Sequence, residues 1–388
     1  MTLGLENCLA NPPDVLHGAR FGLLCNQASV DREFRYAHDR LDKAFSGQLT
    51  ALFSPQHGLW SQDQDNMIET PHGRHPRLGI PVYSLYAENR KPTPDMLAGL
   101  DCLVVDLQDV GTRVYTYIWT VSHCLEACAA AGVAVVVLDR PNPVGGCLVE
   151  GPRLDPAYAS FIGRAPVPMR HGLTLGEMAQ YLNVSMGIGA ELHVVPVNGW
   201  RREMTWADTG RRWIPSSPNL PRIEGVQVYP GMVLIEGTNL SEGRGTTTPF
   251  ETVGAPFVDP FALVDALAEW PLPGVVFRPI TFTPTFQKWC DRQCGGVFLH
   301  VLDEATFRPY RTAAALLASV RQLWPKDFQW LQPPYEYEHE KMPIDILSGG
   351  PALRGEIESG LTAAGLARLA EVGETEWWGE VSASLLYG

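Results

Sequence analysis

Residues 101–146 read DCLVVDLQDVGTRVYTYIWTVSHCLEACAAAGVAVVVLDRPNPVGG. Two aliphatic runs, 102–105 and 133–138, flank a segment of small and apolar residues long enough for a helix. Uninterrupted apolar runs of this length are strands buried on both faces, so the stretch is a βαβ unit of a parallel sheet. Each run ends in acidic and turn-forming residues, Asp106-Leu107-Gln108-Asp109-Val110-Gly111 after the first and Asp139-Arg140-Pro141-Asn142-Pro143 after the second. Both groups therefore fall at the carboxyl edge of the sheet, where open α/β sheets bind their ligands. Asp109 suits the N-cap of a helix beginning near Thr112. Asp106 and Asp139 directly follow aliphatic runs and need partners if buried, for which Arg113 and Arg140 are at hand. A catalytic site and a structural ion-pair network are both consistent with this pattern.

The same grammar continues on either side. RFGLLCNQ at 20–27 is a short strand, and the strand at 49–53 runs into Ser54-Pro55-Gln56-His57-Gly58, which brings Gln56 and His57 to the same edge. Residues 79–86 form a further strand candidate and 94–100 a short helix. The alternation predicts a Rossmann-like, doubly wound, mainly parallel α/β sheet. No G-x-G-x-x-G and no G-x4-G-K-[ST] occurs, so no nucleotide cofactor is implied. Thr174 and Glu177 have the spacing of a capping box opening a helix through Leu182, and 191–197 is another strand. After the ordered loop Ser216-Ser217-Pro218-Asn219-Leu220-Pro221 we place a boundary, giving domains 1–222 and 223–388, the second a smaller α/β (α+β) unit. It carries the densest polar stretch of the chain, Glu236-Gly237-Thr238-Asn239-Leu240-Ser241-Glu242-Gly243-Arg244-Gly245-Thr246. Its glycines let backbone approach a ligand closely, which equips it to hold a sugar; a Gly-rich turn with solvated charges is the plainer alternative. Strands at 275–282 and 296–302, a helix at 312–323 and a helical region to Tyr387 follow.

A chain of 388 residues calls for more than one core. The net charge of −13 argues against a nucleic-acid partner. No apolar run approaches the roughly 18 residues of a membrane span, and the amino-terminal residues carry no secretory pattern. We therefore expect a cytoplasmic protein, or a periplasmic or secreted one if this is a processed form. The eight cysteines sit mostly in apolar segments, as free thiols do. Cys124/Cys128 and Cys290/Cys294 are spaced more widely than the usual C-x2-C zinc hook, so no metal is expected. The sequence does not fix an oligomeric state.

Taken together, Phe53-Ser54-Pro55-Gln56-His57-Gly58, 81–86, Asp106 to Arg113, Tyr115-Thr116-Tyr117, 138–143, His171-Gly172-Leu173-Thr174, Ser217-Pro218-Asn219 and Glu236 to Thr246 resemble, in order, the NamZ-type exo-β-N-acetylmuramidases. The resemblance implies a Rossmann-like first domain and a smaller second domain with the active site between them. It also implies a cofactor-free glycosidase that removes N-acetylmuramic acid from the non-reducing end of peptidoglycan fragments. The family pattern reads F-x-P-E-H-G, whereas this chain has Gln56, whose amide neither donates a catalytic proton nor accepts one at neutral pH. Glycoside hydrolysis typically uses two carboxyl groups. The candidates are Asp106, Asp109, Glu236 and Glu242, with His57 orienting or transferring a proton beside Gln56. For substrate binding the motif loops offer Arg113, Tyr115, Arg140, Asn142, Arg170, His171, Asn219, Asn239 and Arg244. One of the arginines would read the lactyl carboxylate, since the guanidinium fork matches a carboxylate. Two other readings compete. One is a muramyl-sugar-binding protein that has lost catalysis through Gln56. The other is a metal-dependent phosphoesterase built on the Asp cluster, which lacks a closely spaced ligand set.

Overall fold

The structure, a computed structural model, describes residues 1–64 and 68–388. Its first sheet contains β1 (Phe21–Cys25), β2 (Leu49–Ser54), β3 (Gly73–Arg74), β4 (Pro81–Ser84), β5 (Cys102–Asp106), β6 (Ala134–Leu138) and β7 (Leu192–Val195) in the order β3-β4-β2-β1-β5-β6-β7. All neighbours are parallel except the short edge pair β3 and β4. Alternation along the strands divides the apolar side chains between two cores. Leu24, Leu103, Val105, Val135 and Val137 face the helices Tyr117–Ala131 and Leu175–Ser185. Leu23, Cys25, Val104, Val136 and Leu138 face Gly4–Ala10 and Ala37–Ala44. Because both faces must be apolar, the strands show no polar alternation, which is why they read as continuous runs. The strand order reverses between β1 and β5, the topological switch point of the sheet.

The helix expected from Thr112 begins five residues later, at Tyr117. The intervening segment is pinned in a non-helical course: Arg113 N donates to Met169 O at 2.8 Å, and Trp119 Nε1 donates to Arg113 O at 2.8 Å. Asp109 accordingly caps a turn instead of this helix, accepting from Gly111 N at 2.7 Å. The Thr174/Glu177 capping box is present in both halves and opens the helix Leu175–Ser185. Cys124 and Cys128 lie buried on the helix Tyr117–Ala131, whereas Cys290 is exposed outside any helix and Cys294 begins a strand.

The second domain has a three-stranded antiparallel sheet, β8 (Thr252–Ala255), β9 (Val275–Phe282) and β10 (Cys294–Val301), in the order β8-β10-β9. The helices Ile223–Met232 and Pro309–Leu323 pack together beside it. Their contact depends on Gly231, where a Cβ would lie 1.8 Å from Pro309 O. The chain then returns to the first domain. In the helix Glu374–Val381, Trp377 Nε1 donates to His171 O at 2.9 Å, and Tyr387 OH donates to Asp139 Oδ2 at 2.6 Å.

Candidate active site

Two hollows open at the carboxyl edge of the first sheet. One, of about 100 Å³, lies at the switch point against Ala28, Val30, Asp31, Gln108, Arg140, Trp206 and Trp213. Its carboxylate, Asp31, is committed to Arg35 at 2.8 Å and Arg40 at 3.0 Å. The other, of about 40 Å³, lies between the domains and gathers Gln56, His57, Tyr115, Thr116, Ser217 and Asn219 with Tyr229, Glu236, Arg244, Tyr335 and Glu336. The second hollow brings two carboxyl groups, Glu236 and Glu336, into one cavity, the number that general acid–base hydrolysis of a glycoside typically uses.

The first-domain wall is set by the loops after β2 and β5. His57 has φ 70° and Gly58 φ 82°, a left-handed pair that turns the chain back at the strand end. The Asp63 carbonyl lies 2.6 Å from His57 Nδ1, which places the ring proton there. Gln56 Oε1 accepts from Thr116 Oγ1 at 2.8 Å, so the amide nitrogen is its donor end. The 216–219 loop is anchored by Tyr115 OH to Ser216 Oγ at 2.8 Å, by Tyr117 OH to Ser216 O at 2.6 Å, and by Asn219 Nδ2 to Gln64 O at 2.8 Å.

From the second domain, the 3-10 helix Val233–Gly237 delivers Glu236. Its two oxygens accept from Arg244 Nη2 and from Tyr335 OH, each at 2.6 Å. Burial pushes the Glu236 carboxyl up, against the pull of the Arg244 charge. Behind Arg244, Glu242 receives Lys288 Nζ at 2.9 Å, and its carboxyl is held down by the Lys288 and Arg244 charges, which outweigh burial.

Glu336 sits on a tight turn closed by two hydrogen bonds of 2.9 Å between Tyr335 and Glu338. Both central residues are left-handed, Glu336 at φ 44° and Tyr337 at φ 66°. Asn-Gly normally supplies that geometry, and non-glycine residues held there cost on the order of 1–3 kcal/mol each. The turn points the Glu336 side chain inward, leaving the residue 4% exposed, with Tyr86 OH 3.4 Å from Oε2. Burial, and then the neighbouring Glu236 charge, push its carboxyl up to about 7. One cavity thus holds a carboxyl group poised to carry a proton near neutrality and a second one gripped by a cation and a phenol.

The sequence reading did not single out Glu336. It lies in Tyr335-Glu336-Tyr337-Glu338-His339-Glu340-Lys341, a run whose charges look solvated. Beyond the tyrosine on either side of it, nothing in that run set Glu336 apart from its charged neighbours.

The other expected site residues serve the frame. Asp106 is wholly buried and forms a bidentate pair with Arg140, at 2.6 Å to Nε and 2.9 Å to Nη2, away from the cavity. Arg113 donates to the carbonyls of Pro152, Val167 and Leu347 at 2.7, 3.0 and 2.9 Å. Arg170 donates to Val144 O, and Asn142 Nδ2 to Leu173 O at 2.9 Å. Asn239 is spent on Asp327 O and Gln329 N, at 2.8 and 3.0 Å. His171 accepts from Leu173 N at 3.1 Å, and burial lowers it to about 3, so it is neutral. Its Nε2 faces Asp109 Oδ2 at 3.7 Å; burial raises the Asp109 carboxyl to about 7, but Asp109 does not line the cavity. Asp139 is occupied by Thr174 Oγ1 at 2.7 Å, Gly176 N at 2.8 Å and Tyr387 OH at 2.6 Å. Among the described residues, no three His, Cys, Asp or Glu side chains gather in a way that would hold a metal ion.

Comparison with known proteins gives a consistent picture. Residues 21–224 match the family model described as exo-beta-N-acetylmuramidase NamZ, N-terminal, and residues 227–387 match its C-terminal counterpart. The chain is 43% identical over 357 residues to the peptidoglycan beta-N-acetylmuramidase NamZ of Bacillus subtilis (strain 168), covering 92% of this chain and 84% of that protein. A crystal structure of a DUF1343 family protein from Bacteroides fragilis NCTC 9343 superposes with a TM-score of 0.89 at 31% identity, over 100% of this chain and 99% of that one. A second DUF1343 protein of the same organism gives 0.77 at 28% identity, over 100% and 98%.

Proposed function

Because the chain belongs to the NamZ family of exo-β-N-acetylmuramidases, we propose that it is a glycoside hydrolase releasing N-acetylmuramic acid from the non-reducing end of peptidoglycan fragments. The observation that carries this reading is the meeting of Glu336 and Glu236 in one cavity with different partners, Glu236 gripped by Arg244 and Tyr335 and Glu336 buried against Tyr86. Two carboxyl groups in unlike surroundings suit the two roles of a glycosidase site. Glu336 gives its proton to the glycosidic oxygen as the bond to the anomeric carbon breaks, and a water that adds to that carbon returns a proton to Glu336. Glu236, held by Arg244 and Tyr335, faces the positive charge that develops on the sugar ring. Of Arg113, Arg140, Arg170 and Arg244 only Arg244 lines the cavity, paired there with Glu236 at 2.6 Å and Glu242 at 3.5 Å, so the lactyl carboxylate falls to it.

A chromogenic β-N-acetylmuramide tests the assignment. The enzyme should turn it over and leave the corresponding β-N-acetylglucosaminide nearly untouched; the reverse preference, or no turnover, would overturn it. Gln56 motivates a second reading, a sugar-binding protein without catalysis, which the same assay separates from the first. With the proton work on Glu336, Gln56→Glu should change kcat by less than about tenfold, well below the 10²- to 10⁴-fold of a general acid. A rise of a hundredfold or more would return the proton to position 56.

A further inference from the structure

Arg90 lies outside the cavity and bears on its geometry. Its guanidinium carbon stands 4.2 Å from the ring centroid of Tyr86, 4.6 Å from that of Tyr337 and 5.6 Å from that of Phe161. The three rings also meet one another, at centroid distances of 5.6 to 6.3 Å. Tyr86 and Phe161 belong to the first domain, whereas Tyr337 belongs to the turn that carries Glu336. A guanidinium enclosed by aromatic faces is attracted to each of them, so Arg90 joins the two domains at this position, alongside the contact of Tyr86 OH with Glu336 Oε2 at 3.4 Å. Among the described residues, Arg90 also donates to Ala87 O and, at 3.4 Å, to the half-exposed Glu69.

We propose that Arg90 is a positioning residue for the reaction: by holding Tyr337 between the domains it fixes the strained 335–338 turn, and with it the carboxyl group of Glu336 in the cavity. The proposal rests on the reading of Glu336 as the acid. Two left-handed non-glycine residues in succession persist only where their surroundings over-determine them. On the second-domain side, Tyr335 OH is tied to Glu236. On the first-domain side, the turn is met by Tyr86 and by the Arg90 cage.

The groups that face Glu336 are Glu236 and Arg244 from the polar loop, Tyr335 from its own turn, Tyr229 from the helix Ile223–Met232, and Tyr86 and Arg90 from the first domain. Burial is the largest influence on its carboxyl, and the Arg90 charge is a smaller, opposing one. The two roles of Arg90 thus have opposite signs. Deleting its charge alone would move the Glu336 carboxyl up. Releasing the turn to water would move it down, towards the ordinary carboxylate range.

The test is the pH dependence of kcat/KM for Arg90→Ala on a chromogenic β-N-acetylmuramide, with Glu336→Gln measured alongside. We expect kcat to fall about 10- to 100-fold, as misplacement of a reacting group does. KM should change by less than about threefold, since Arg90 touches no part of the cavity. The alkaline limb of the profile should shift to lower pH. Arg90→Lys, which keeps the cation in the cage, should recover part of the loss. Tyr337→Leu removes the other face of the same contact and should move the limb in the same direction, which keeps the test open if Arg90→Ala folds poorly. An alkaline limb that stays in place, or moves to higher pH, in both variants would overturn the clamp while leaving the acid assignment intact. A fully active Glu336→Gln would overturn the acid assignment, and the clamp with it.

Discussion

Glu336→Gln should lower kcat/KM by about 10²- to 10⁴-fold, the usual contribution of a positioned general acid, or about 3–5 kcal/mol of barrier. The amide fills the same space and can still accept from Tyr86, so the fold and the affinity for the sugar should survive. The pH profile gives an independent check. Burial and the Glu236 charge hold the Glu336 carboxyl at about 7, so its acid form is present below that value and is lost as the pH rises through it. Activity of the unmodified enzyme should therefore decline on the alkaline side near neutrality, and this limb should vanish in the variant. Steady-state kinetics across pH 5 to 9 on a chromogenic muramide settles the matter. If the variant retains both its rate and its alkaline limb, another group supplies the proton.

Asp106→Asn should act on stability. The Asp106–Arg140 pair is buried on both sides and bidentate. Neutralising one partner leaves the guanidinium charge uncompensated in the interior, which typically costs about 3–5 kcal/mol. A loss of that size is a large part of a domain's total stability of roughly 5–15 kcal/mol. The denaturation midpoint in urea should drop clearly while kcat, measured where the variant is still folded, changes little. The opposite result, an unchanged midpoint with activity abolished, would put Asp106 into the chemistry.

These two residues show what the sequence revealed and what it concealed. β1, β5 and β6 were legible because strands buried on both faces must be unbroken apolar runs. β8 was not, because Thr252-Val253-Gly254-Ala255 is short and half glycine and alanine; Gly254 is needed where the backbone of Gly295 comes within 2.1 Å of a Cβ. Spacing after strands brought Gln56 and His57 to the correct edge, the family resemblance added Tyr115 and Asn219, and the polar density of one loop pointed to Glu236 and Arg244. The same rule also brought forward Asp106, Asp109, Arg140 and Asn142, since a strand end places a residue at the edge without saying whether a neighbour's side chain or carbonyl has already taken it. Glu336 escaped because its inward aim comes from two left-handed dihedrals that residues other than glycine rarely adopt. Contacts distant in sequence hold that backbone: Tyr335 OH on Glu236, Tyr86 OH against Glu336, and Arg90 over the Tyr337 ring.

The return of the chain to the first domain has a kinematic consequence. The polypeptide passes between the domains twice, once ahead of the helix Ile223–Met232 and again ahead of Glu374–Val381, whose far side is moored by Trp377 and Tyr387. Direct contacts add to these crossings: Arg113 Nη2 donates to Leu347 O at 2.9 Å, and Glu150 accepts from the backbone N–H groups of Tyr310 and Arg311 at 3.1 and 2.9 Å. The interdomain cavity holds only about 40 Å³, against the roughly 300–1,000 Å³ of an ordinary ligand pocket. Admitting a hexosamine ring should therefore require the two walls to part against these contacts, which a sugar-bound structure with a wider cavity would show.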